Sequence, residues 1–172
     1  MNQTKWVVIL GREVGKTELM ALENVTAAIG EGLVAGCCGT AAMTLSQQIE
    51  MKATGREPST GPGDMVARLL GVEPKGQRER ESFSNLVHWT WGTLWGLPRG
   101  LISLSGAKGG KATLMHAVIV IGGDFWILHT LAKKPPPWEW PREELATEVL
   151  HKSVLALAAG LVYDTLEHNS PL

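Results

Sequence analysis

The sequence predicts an all-α integral membrane protein, a bundle of four transmembrane helices with a short interfacial amphipathic helix in its first long loop. Three observations carry this fold class. Four windows, 25–45, 86–104, 112–131 and 149–166, are almost free of charge, and each is 18 to 21 residues long, enough to cross the hydrocarbon layer as a helix. They contain only Glu31, Arg99, Asp124, Lys152 and Asp164 out of 16 Lys and Arg and 17 Asp and Glu. Finally, 20 Gly and seven Trp beside one Tyr and two Phe make an odd composition for a soluble domain of 172 residues. The mean hydropathy of +0.03 averages these windows with highly charged connections. A net charge of −1 with 44% hydrophobic residues excludes a disordered tail and a nucleic-acid coat. The competing fold is a soluble bundle of long buried helices, which would stay dispersed without detergent.

The elements follow in chain order. Residues 1–24 form an N-terminal extramembrane segment. Met1 to Lys16 has only the short apolar run Trp6 to Leu10, too short for a cleavable signal, so the first span is expected to act as its own insertion signal. Leu10-Gly-Arg-Glu-Val-Gly-Lys-Thr17 resembles a phosphate-binding loop, but Leu10 stands where the first Gly belongs and one intervening residue is missing; no nucleotide site is predicted. The first window, 25–45, carries the adjacent Cys37 and Cys38, read as small apolar side chains, with a redox or metal role as the alternative.

The connection 46–85 is punctuated by Pro58, Gly61-Pro62-Gly63 and Pro74 around a short helix. Asp64 can cap that helix, and Met65, Val66, Leu69 and Leu70 share a side that would lie along the membrane surface. Window 86–104 is the second span and 112–131 the third. Lys133-Lys-Pro-Pro-Pro-Trp-Glu-Trp-Pro141 sets two Trp beside two Lys as an interface anchor. Window 149–166 is the last span, and 167–172 is a tail. Nine Lys and Arg near the spans fall on the long-loop side against five on the other, which places the long loops in the cytoplasm and both termini outside.

Several strings together resemble the YagU-like family of bacterial inner-membrane proteins. They are Gly32-Leu-Val-Ala-Gly36, Gly39-Thr-Ala-Ala-Met-Thr44, Gln47-Gln-Ile-Glu50, Gly55-Arg-Glu-Pro-Ser59, His88-Trp-Thr-Trp-Gly-Thr-Leu-Trp-Gly96 with Arg99-Gly100, Pro135-Pro-Pro-Trp138, and His151. The resemblance spans about residues 28 to 166. It implies a multi-span inner-membrane protein and supplies no reaction and no catalytic residue.

Small residues mark the predicted helix contacts. His88, Gly92, Gly96 and Gly100 recur every four residues on one side of the second span; Gly32 and Gly36 do the same on the first, and Ala156 and Gly160 on the last. In a bilayer such seams bring backbones close. The sharper alternative is that a Gly face below His88 leaves room for a flat macrocycle, haem or chlorophyll, ligated by that His. Trp91 and Trp95 share a side and are expected to meet lipid or protein, with a pigment as the alternative.

Ionisable groups at membrane depth are functional candidates because an unpaired charge there costs a few kcal/mol or more. Towards the long-loop side lie Glu50, His88, His129, Glu148 and His151, candidate metal or cofactor ligands whose bland reading is interfacial hydrogen bonding to water and headgroups. Glu148-x-x-His151 repeats half of a di-iron motif and lacks the second copy. Towards the other side lie Glu31, Arg99, His116 and Asp164; Arg99 can pair with either carboxylate to fix register. Asp124, after Gly122-Gly123, is the deepest group, with Lys152 or His88 as its partner by level.

The leading functional expectation is a non-enzymatic membrane protein that works by association, with lipids around it and other subunits or itself as partner, and with no nucleic acid and no nucleotide. The alternatives are conduction of protons or a small solute through the intramembrane polar groups, a haem or chlorophyll carrier, and an enzyme built on a Glu/His metal cluster. No resident cofactor is predicted.

Overall fold

The computed structural model describes residues 7–9 and 12–169. A short antiparallel hairpin, β1 (Val7–Ile9) with β2 (Arg12–Val14), pairs Val8 opposite Glu13. Everything after it is helical: α1 (Lys16–Thr54), α2 (Gly61–Leu70), α3 (Gln77–Leu94), α4 (Leu97–Leu104), α5 (Gly109–Thr130) and α6 (Arg142–Asn169), with a single 3-10 turn at Pro137–Glu139. Three helices, α1, α5 and α6, are long and apolar enough to cross a membrane. Their apolar stretches are only 33%, 28% and 28% buried inside the protein. Leu114, Val118, Trp126, Leu157 and Leu161 point outward, which suits lipid and not water.

The fold departs from four continuous spans at the second window. Pro98 has no N–H to offer the Leu94 carbonyl, so the helix cannot continue through it undisturbed. The chain tightens instead: Gly96 N–H donates to Thr93 O at 3.0 Å and Arg99 N–H to Gly96 O at 3.1 Å. One element of the window thus becomes two, α3 and α4, neither of which is both long and apolar enough to cross a membrane by itself.

α1 is the backbone of the bundle. It runs 39 residues, about 58 Å at 1.5 Å per residue, and packs against α6, α4 and α3. Its seam with α3 and α4 is bare backbone. A Cβ on Gly96 would strike the Gly32 carbonyl, one on Gly100 the Ala28 carbonyl, and one on Gly92 the Thr40 hydroxyl. On the other side, a Cβ on Gly39 would lie 2.7 Å from the Leu155 carbonyl of α6, and one on Gly160 would strike Thr113 of α5. The Gly face of α3 and α4 is therefore filled by α1, and the slot for a flat macrocycle drawn from the sequence does not exist there.

Two loop expectations change. Thr60, not Asp64, precedes the first turn of α2, and its hydroxyl donates to the Asp64 carboxylate at 2.9 Å. α2 leans on α3, with Gly63 against Ser84 and Met65 2% exposed, while Leu69 and Leu70 face away. The expected single apolar side is thus split between protein and surroundings. In the second loop only Trp138 points outward; Trp140 is buried edge-on to Phe125 at 5.2 Å, under the Lys134 ammonium.

Candidate functional site: a charged vestibule

α3 and α5 diverge on the long-loop side, because α3 packs on α1 and α2 while α5 packs on α6. Between them opens a cavity of about 1610 Å³, roofed by α2 and floored by Trp95, Val120 and Leu155. Val120 lies about 15 Å of helix rise below the end of α5 at Thr130, so the cavity penetrates deep into the bundle.

The floor is polar on one wall. Lys152 Nζ sits 3.0 Å from Asp124 Oδ2 and is also hydrogen-bonded to Glu148, one turn back on α6. Trp91 Nε1 donates to Asp124 Oδ1 at 3.0 Å, so both oxygens of the deepest carboxylate are held. Trp91 and Trp95 stack edge to face at 6.4 Å and line the cavity, and both make the protein contact the sequence predicts, Trp91 with Asp124 and Trp95 with the Met43, Val120 and Leu155 layer.

Nearer the mouth, Glu50 and His151 face each other across α1 and α6. His151 Nδ1 is 3.0 Å from Ser46 Oγ and its Nε2 is 3.6 Å from Glu50 Oε2. Glu50, five residues past the first apolar window, is clamped by Arg56, whose Nη2 donates to Oε2 at 2.6 Å. The Arg56 guanidinium pushes the Glu50 carboxyl down to about 2 against the opposing effect of burial, with a lesser contribution from the Thr54 hydroxyl. The same contact raises Arg56. This clamp depends on the sharp end of α1, where Gly55 adopts φ 73° and returns its N–H to the Met51 carbonyl at 2.9 Å.

Of the five candidate ligands, Glu50, His88, Glu148 and His151 line the cavity. His88 spends its Nε2 on the Thr44 hydroxyl at 2.8 Å. His129 is exposed and bonds the Lys134 carbonyl outside the cavity. Among the described residues, no three His, Cys, Asp or Glu side chains converge closely enough to hold a metal ion.

A second polar cluster lies towards the short-loop side. Arg99 of α4 is fully buried, bonded through Nη2 to Asp164 of α6 and stacked 4.2 Å from the Tyr163 ring centroid. Tyr163 Oη is hydrogen-bonded to Ser103 Oγ at 2.6 Å. Arg99 Nε and Nη1 make no hydrogen bond with the described residues. Glu31 sits half-buried on α1 beside Gly32. Met43, Val120 and Leu155, with Trp95 against them, form an apolar layer that closes the cavity floor.

His116 has a role the sequence did not suggest. The break before Pro98 sends the Arg99 N–H to Gly96 and leaves the Trp95 carbonyl without a helical partner; His116 Nε2 meets that oxygen at 2.8 Å. A carbonyl only accepts, so Nε2 carries the proton. The signal was Pro98 inside an apolar window with an isolated His at matching depth on the next span.

Comparison with family models, with curated proteins and with solved structures returns no match in any of the three.

Proposed function

We propose that this chain is a four-segment membrane protein, with α3 and α4 together making the second crossing, that admits a small polar solute or protons into its vestibule from the long-loop side. The observation that carries this reading is the Asp124–Lys152–Glu148 cluster lining a deep cavity at a level where charge is costly. Paired charges that merely fixed register would be better packed dry. The arrangement supports binding and conduction without a catalytic set. The YagU-like strings and the Lys and Arg distribution support an inner-membrane protein with the long loops in the cytoplasm.

Association, the leading expectation from sequence, loses its seams: Gly32, Gly36, Gly92, Gly96, Gly100 and Gly160 are all occupied within the chain. It retains the outward face of α5, where Trp126 is exposed and Gly122 has open space beside it, as a surface for a neighbouring subunit.

The test is thiol access. In a Cys37→Ala/Cys38→Ala background, Thr44→Cys, half-buried on the cavity wall next to Met43 of the floor, should react in oriented proteoliposomes with a charged, membrane-impermeant thiol reagent added on the long-loop side and not from the opposite side. Protection from both sides would sink the vestibule reading; a pH-driven or solute flux that Asp124→Asn abolishes would extend it to conduction.

A further inference from the structure

The floor of the vestibule is constructed as a box for an ammonium group, and the chain's own Lys152 sits in it. Its Nζ has Asp124 Oδ2 at 3.0 Å, a hydrogen bond to Glu148, and the Phe125 ring centroid at 5.8 Å. Carboxylate oxygens for the N–H donors and an aromatic face for the charge are the combination that recognises ammonium ions. The box is short of positive charge, since two carboxylates share one lysine. Nearby cations are committed elsewhere: Arg56 to Glu50, Arg80 to Asp64 and Lys134 to Glu144. Around the whole cavity, eight carboxylates face five Lys and Arg among the described residues. A low-dielectric cleft lined with one excess sign focuses the field and concentrates ions of the other sign.

We infer that the vestibule binds a small organic ammonium ion, its charged nitrogen competing with Lys152 for Asp124 and Glu148 and its carbon skeleton lying against Trp91 and Trp95. This deepens the vestibule reading and rests on it. The indole pair supplies the apolar and cation–π surface that a hydrated inorganic cation cannot use. The cavity volume exceeds that of the ligand pockets usual for small molecules, so the ligand need not fill it.

The experiment titrates the purified full chain, in detergent or nanodiscs, with n-butylammonium, 1-butanol, sodium and butyrate at matched ionic strength, following Trp fluorescence and the melting temperature. Butylammonium alone should shift both. Glu148→Gln, at a partly exposed position that tolerates the change, should weaken binding at least tenfold. Lys152→Met, which empties the box, should strengthen it by tenfold or more. An equal response to 1-butanol, a response to butyrate alone, weaker binding in Lys152→Met, or no response to any probe would each overturn the inference. Thr44→Cys labelling separates the two ideas: a labelled vestibule that ignores butylammonium overturns the ammonium site and leaves the vestibule standing.

Discussion

Replacing Asp124 by Leu isolates the cost of the deepest charge. The residue is 8% exposed and its carboxylate makes two contacts at 3.0 Å, with Lys152 and with the Trp91 indole N–H. At an effective dielectric of about 20, unit charges at that separation attract by about 5 kcal/mol before desolvation is counted. Removing one member of a buried pair costs about 3–5 kcal/mol when the other is left alone. Here Glu148 still holds Lys152, which lowers the charge contribution to about 2 kcal/mol. The stranded indole N–H adds about 1–2 kcal/mol. Asp124→Leu should therefore destabilise by about 3–4 kcal/mol, whereas Asp124→Asn, whose amide oxygen still accepts from Trp91, should cost about 2 kcal/mol. Lys152→Met leaves two carboxylates facing each other and should cost about 4 kcal/mol. The double variant Asp124→Leu/Lys152→Met removes both buried charges and should cost about 2 kcal/mol, far below the sum of the singles. The assay is reversible unfolding in detergent followed by Trp fluorescence. Single costs that add in the double variant to within about 0.5 kcal/mol would refute the coupling and with it the reading of this pair as mutually compensated.

Glycine positions should divide sharply by location. Gly96→Ala, whose Cβ strikes the Gly32 carbonyl, should cost about 1–3 kcal/mol, while Gly122→Ala, with open space around it, should be neutral or gain up to about 1 kcal/mol of helix propensity, both read by thermal melting. His116→Leu should cost about 1–3 kcal/mol by orphaning the Trp95 carbonyl, and His116→Gln, which retains a donor, should recover part of that in the same melting assay. The Glu50–Arg56 clamp predicts a pH dependence. Because Glu50 is held at about 2 against an ordinary value of 4.5, its contribution is fully present above about 4.5 and disappears as pH falls towards 2. Arg56→Gln should flatten the melting temperature over that window, and an unchanged slope would exclude the clamp as its source.

Charge-free windows made α1, α5 and α6 legible, because uninterrupted apolar length is a property of sequence alone. The second window reads as continuous although Pro98 stands inside it; composition averaged over the window hides the one residue that lacks a backbone donor. The Gly spacing showed where backbones approach but not which partner fills each face, and that choice closed the slot imagined below His88. Polar groups were sorted by depth, which brought Asp124 and Lys152 to one level and Arg99 and Asp164 to another. Depth could not tell that Trp91 and Trp95 turn inward. The rotation of α3 about its axis is set by its contact with α1, and no local pattern around the tryptophans encodes it. Trp140 was hidden for a similar reason, since its burial depends on Phe125 from a different helix.

The layer of Met43, Val120 and Leu155 sets where an electrical potential would act. If water fills the vestibule to its floor, the aqueous phase on one side extends some 15 Å inward. The voltage then falls across a correspondingly thinner insulator instead of the full bilayer. A cation resting at Asp124 would have traversed little of that drop, and its next step past Val120 would carry most of the roughly 2.3 kcal/mol that 100 mV exerts on a unit charge. Three uncharged side chains would thereby decide how strongly membrane voltage biases traffic through the protein.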